Sequence, residues 1–169
     1  VDGPWKAGSY VDLVAAGGSA HAVWVEGDSL RYAIGPGWRA VTVATGVEVG
    51  DGGQIRPQIA LDGDWMPVIL YTSGHDAWLA RLELTNITTG PVWKQSLFAK
   101  GGALSDLTIR GGEPVVVSYD AKAHVQLDGK EIYASGDDGV CVCCRPAVLA
   151  RPASLAVAFR DADGPRRDI

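Results

Sequence analysis

A short apolar strand closing on one aromatic residue recurs four times in this chain, and self-similarity at a period of tens of residues marks propellers and solenoids. The copies read "AHAVWVEG", "PVILYTSG", "PVVVSYDA" and "LAVAFRDA", with Trp24, Tyr71, Tyr119 and Phe159 as aromatic anchors. About a dozen residues before each anchor another strand begins, near Asp12, Pro57, Asp106 and Pro146, in "VDLVAAGG", "RPQIALDGD", "SDLTIRGG" and "RPAVLARPA". Two more strand-like pieces follow each pair, such as "AWLARLEL" and "PVWKQSLFAKG" in the second unit. That order makes roughly four strands in a repeat of roughly 40 to 50 residues, as in a propeller blade. The 22 glycines punctuate the segments, and no amphipathic stretch between them is long enough for a helix. The expected fold is all-β: a β-propeller of four-stranded antiparallel blades, with units near 9–47, 48–102, 103–139 and 140–169 of a single domain spanning 1–169.

The ends of the chain set two alternatives for closing the ring. "GPWKAG" resembles the outer strands "PGWRAV" and "GPVWKQ", whereas the last unit stops at its third strand, after "PRRDI". Residues 1–8 therefore complete the final blade of a closed four-bladed ring, or the units belong to a larger ring of about six or seven blades. In the larger ring the remainder lies on a second chain or protein partner, or has been cut from the same one. The abrupt stop inside an expected strand favours the larger ring.

Composition removes several function classes. At 169 residues the chain supports one core-forming domain. A net charge of −5, a sequence pI near 5.1 and a lone Arg166-Arg167 pair make a poor footprint for nucleic acid. No apolar run reaches the roughly 18 to 20 residues of a membrane helix, so no membrane span is expected. "VDGPWKAG" has neither the basic nor the apolar region of a signal peptide, so any leader is expected to have been removed already.

From "DDGVCVCCRPAV" through "LAVAFRDADGPRRDI" the chain resembles bacterial sialidase-like (BNR-repeat) propeller proteins, in which a C-x-C-C run opens a strand and an "RD…RDI" strand pair follows. The resemblance is close over about thirty residues and looser, in blade rhythm, over most of the chain. It implies a secreted or periplasmic protein, a ring larger than this chain, and a family of mostly unassigned activity. Sialidases clamp a carboxylate with three arginines and carry an aspartate acid and a tyrosine–glutamate nucleophile pair. Arg56, Arg145, Arg160 and Arg167 lie near strand ends where such a clamp could gather, since arginine suits a carboxylate through its bidentate fork. None matches a catalytic motif, and the plainer expectation is that they pair with aspartates between blades. The Asp-box pattern at Ser135, Asp137 and Gly139 lacks the threonine and tryptophan that should follow, and Asp boxes are structural.

All three cysteines, Cys141, Cys143 and Cys144, crowd into "CVCC". Three thiols could hold copper or zinc, with His75 or His124 as a fourth ligand, although the spacing is not that of a zinc finger. A disulfide is the expected fate in a secreted chain, but a bridge between neighbours is strained, because adjacent Cα atoms stand only about 3.8 Å apart. One thiol is then left over. Ser73, His75 and Asp76 have the residue types of a hydrolase triad, yet "SGHD" reads better as a hairpin turn. Asp62 and Asp64 around Gly63, and Asp161 and Asp163, fit Asp-Gly turns better than calcium loops. The six tryptophans fall on strand positions and are expected to pack.

These readings favour a non-catalytic propeller that binds a partner or joins an assembly, with no cofactor. The alternative is a sialidase-like glycoside hydrolase with an arginine-lined pocket. A thiol-based metal or redox site at "CVCC" stands third.

Overall fold

The computed structural model describes residues 10–48, 56–84, 91–102, 104–134 and 144–160. The architecture is all-β. Sheet 1 contains β1 (Val11–Ala16), β2 (Ser19–Glu26), β3 (Ser29–Ile34) and β4 (Val41–Ala44). Sheet 2 contains β5 (Gln58–Leu61), β6 (Pro67–Ser73), β7 (Asp76–Leu84) and β8 (Pro91–Ala99). Sheet 3 contains β9 (Ser105–Arg110), β10 (Glu113–Tyr119), β11 (Val125–Leu127) and β12 (Lys130–Tyr133). Sheet 4 has, among the described residues, only β13 (Ala147–Arg151) and β14 (Ser154–Ala158). Among the described residues every pairing is antiparallel, between strands consecutive in the chain. No helix among the described residues is long and apolar enough to cross a membrane.

Turn chemistry explains why the strands end where they do. β1 and β2 are joined by Gly17-Gly18, and β9 and β10 by Gly111-Gly112, all four at positive φ, which a two-residue hairpin demands and glycine adopts without strain. Asp62 and Asp120 each open a second kind of turn. The side-chain Oδ1 of Asp62 accepts from the backbone of Asp64 and Met66, and that of Asp120 accepts from Lys122 and His124. In both turns the fourth residue, Trp65 or Ala123, takes a positive φ. Asp62 and Asp64 are therefore turn residues, as the Asp-Gly reading expects.

The first strands lie side by side, β1 against β5, β5 against β9, and β9 against β13, and a core fills each gap between sheets. Alternation along each second strand supplies both faces of its sheet. Val23 and Val25 meet Ile59, Ile69 and Tyr71 between sheets 1 and 2. Val68, Leu70 and Leu79 meet Val116 between sheets 2 and 3. Val115, Val117 and Tyr119 meet Val148, Leu155 and Phe159 between sheets 3 and 4. Burying each such side chain contributes about 1.5–3 kcal/mol.

The anchors are not fully equivalent. Asp12 stands opposite Val23, Gln58 opposite Leu70, Asp106 opposite Val117 and Ala147 opposite Ala158. In that register Trp24, Tyr71 and Phe159 share one slot, whose occupant in sheet 3 is Ser118. Tyr119 comes one residue later. Because a strand's period is two, the slip turns it to the other face, toward sheet 4.

Candidate functional site

The described candidates all lie at one end of their sheets, where first strands begin and second strands finish. Arg56 and Arg145 precede β5 and β13, each followed by a buried proline, Pro57 or Pro146. Two residues further along in the common register, where β5 and β13 have Gln58 and Ala147, β1 and β9 carry Asp12 and Asp106. Asp12 Oδ2 accepts a hydrogen bond from Ile59 N at 2.9 Å, tying β1 to β5. Asp106 Oδ2 accepts one from Val148 N at 2.7 Å, tying β9 to β13, and its Oδ1 accepts from Gln58 Nε2.

Arg145 enters this group from sheet 4. Its Nε donates to Ser105 O at 2.5 Å, and Nη2 reaches Arg56 O at 3.5 Å. Burial pulls the guanidinium pKa below its ordinary value; Asp106 and Asp12 oppose that, and the charge of Arg56 adds to it. The cluster thus brings two of the four candidate arginines beside an acidic pair. Both oxygens of Asp106 are engaged in the fold, and Arg145 directs donors at backbone carbonyls. What the arrangement does chemically is fasten neighbouring sheets.

Arg160 lies elsewhere, its Nη1 3.7 Å from Cys144 Sγ. Tyr119 Oη donates to Cys144 O at 3.1 Å, and its phenol is pushed up to about 12, by burial first and then by Cys144, with a backbone hydrogen bond from Arg160 acting the other way. Cys144 is half-buried, and no disulfide joins it to another described residue. Arg167, Cys141 and Cys143 lie outside the described residues.

The histidines are on different sheets. His75 is exposed in the tight turn between β6 and β7, where Ser73 pairs with Asp76 across the hairpin. Ser73 Oγ accepts from Glu48 N at 3.1 Å and donates to Gly46 O, so "SGHD" is a hairpin turn. His124 stands just before β11, with Nδ1 2.8 Å from Glu131 Oε2 and 3.6 Å from Asp120 Oδ2. Gln126 Nε2 donates to the same Asp120 oxygen at 3.1 Å. Asp120, His124 and Glu131 could hold a metal ion.

Beside this cluster, between sheets 2 and 3, lies a cavity of about 280 Å³ whose lining includes Phe98, Lys100, Ser118, Asp120 and Gln126. Ser118 is fully buried, and among the described residues its Oγ has no hydrogen-bond partner. Tyr71, in the corresponding slot of sheet 2, fills its space and donates to Gln95 Oε1, while Gln95 Nε2 donates to Val43 O of sheet 1. A serine reaches no such partner. The signal that could have revealed this slot is the spacing from Asp106 to Tyr119, one residue longer than from Asp12 to Trp24 across a Gly-Gly turn of the same length. Asp120 and Glu131 carried no sequence signal of their own, because the pairing of Gln126 with Glu131 that sets their neighbourhood is a matter of register.

No protein-family model matches this chain, and no curated protein matches it.

Proposed function

We propose that the chain is a run of β-propeller blades of the sialidase-like (BNR-repeat) kind, acting as a non-catalytic secreted or periplasmic module for binding or assembly. The observation that carries this reading is the use made of the acidic pair: Asp12 and Asp106 accept backbone hydrogen bonds from the next sheet. A glycosidase needs carboxyl groups able to exchange a proton with substrate, and Asp106 has both oxygens committed. The side-by-side first strands agree with blades arranged around an axis.

A partner suits the two ends of the array. Leu13 of β1 is 56% exposed and Leu149 of β13 is 54% exposed, each on the face its sheet turns away from its described neighbour. A further blade on a second chain would cover them. The test pairs an assay with a mass: incubation with a fluorogenic sialoside, and native mass spectrometry of the same sample. The expected result is no hydrolysis, with assembly heavier than one chain. Turnover of the sialoside that disappears in Arg145→Ala, at unchanged circular dichroism, would refute the non-catalytic reading.

A further inference from the structure

We propose that Asp120, His124 and Glu131 form a binding site for a divalent transition ion, zinc being the best match, beside the cavity between sheets 2 and 3. Their ligand atoms all lie within 4.8 Å of one another. Carboxylate oxygens and imidazole nitrogens hold zinc at about 2.0–2.2 Å, which places the ligand atoms of a tetrahedral site roughly 3.4 Å apart. His124 Nδ1 and Asp120 Oδ2, at 3.6 Å, already stand near that separation. The 2.8 Å contact between His124 and Glu131 must open slightly, and Glu131, whose side chain is 50% exposed, is free to rotate. Imidazole with two carboxylates is a donor set suited to zinc or manganese and unlike the thiolate sets that select copper(I).

The local fold does not by itself require this grouping. The turn opened by Asp120 uses only Oδ1, and the same turn at Asp62 places Met66 where His124 stands. Gln126 Nε2 holds Asp120 Oδ2 as an outer partner orients a metal ligand. A second observation points to a bound species here. Asp120 also lines the 280 Å³ cavity, and the wall of that cavity includes Ser118, fully buried and with no partner for its Oγ among the described residues. Buried hydroxyls without partners are rare, and each asks for an explanation. Three protein ligands leave a zinc ion with a place for water or a small oxygen-donor ligand, and such a molecule in the cavity would give Ser118 its missing partner. The inference does not depend on the propeller reading.

Zinc titration by calorimetry tests it, on the full chain with Cys141, Cys143 and Cys144 replaced by serine so that thiols contribute nothing. The expected result is a single zinc site, weakened about tenfold or more by His124→Ala and by Glu131→Gln, and unaffected by His75→Ala. Glu131→Gln lies on an exposed strand position and carries the test if His124→Ala fails to fold. In the unsubstituted chain, zinc should shift the NMR signals of the His124 ring and leave those of His75 in place. A cysteine-free folded chain that binds no zinc, or binding indifferent to Glu131→Gln, overturns the proposal.

Discussion

Replacing Asp106 by alanine should loosen sheet 4 from sheet 3 and, through Gln58, sheet 3 from sheet 2. The carboxylate accepts from Val148 N at 2.7 Å with one oxygen and from Gln58 Nε2 with the other, and it offsets the buried charge of Arg145. Hydrogen bonds to a charged group contribute about 1.5–3 kcal/mol each, and their loss leaves donors in a half-buried setting without acceptors. Because the two bonds share one carboxylate and are not additive, the expected cost of Asp106→Ala is about 3 kcal/mol. In a chain of this size each kcal/mol lowers Tm by about 2–4 °C, so the transition should fall by about 6–12 °C. Asp106→Asn should cost less than half as much. Its amide oxygen still serves Val148, and Gln58 can turn so that its Oε1, which has no partner among the described residues, accepts from the new amide. Asp64, exposed in its turn, supplies the control. Thermal unfolding followed by circular dichroism reads all three variants. If Asp106→Ala shifts Tm by no more than Asp64→Ala does, the carboxylate does not fasten the sheets, and the commitment of its oxygens no longer supports the non-catalytic reading.

Burial pushes Tyr32, Tyr71 and Tyr119 up to about 12, so the fold favours the neutral phenol; that contribution is complete below about pH 10 and is lost as pH rises toward 12. Tyrosinate absorbance should therefore show a group of tyrosines ionising late and together with unfolding, and uniform ionisation near pH 10 in a folded chain would contradict their burial. Gly102→Ala should destabilise by about 1–3 kcal/mol, because the new Cβ would lie 2.8 Å from Ala99 Cβ, an atom fixed to the backbone at the end of β8. Gly37→Ala, where nothing lies within 4 Å, should leave urea unfolding unchanged, and equal losses at the two sites would remove the packing argument.

Strand content was readable because it rests on local pattern. Glycine-bounded apolar runs gave β2, β6 and β10 nearly to the residue, and the two extra strands of the second unit are β7 and β8. The aromatic rhythm misled at one point: Tyr119 looks equivalent to Tyr71 in sequence, but Asp106 pairs with Val117, two residues before Tyr119, whereas Gln58 pairs with Leu70, one residue before Tyr71, so the two aromatics face opposite ways. A one-residue slip is invisible to composition and decisive for packing. The arginines were read as clamp or ion-pair candidates; the structure brings Arg56 and Arg145 together and leaves Arg160 with Cys144. The anchoring role of Asp12 and Asp106 could not be seen in the sequence, because their acceptor oxygens meet backbone donors more than forty residues away, Ile59 and Val148. His124 was noticed for its residue type, but with cysteines in mind. Its neighbours in the fold are instead two carboxylates placed by a turn and a strand register.

Among the described residues each sheet pairs only strands that follow one another in the chain, and this has a bearing on how such a protein is made and altered. A sheet can complete its ladder as soon as its own segment leaves the ribosome, without waiting for distant sequence, so closure entropy stays small at each stage. Contacts between sheets come afterwards, as side chains dock on a finished neighbour. Duplication or loss of one segment therefore adds or removes a single layer and its interface while leaving every other ladder intact, so the array lengthens by copying rather than by rewiring.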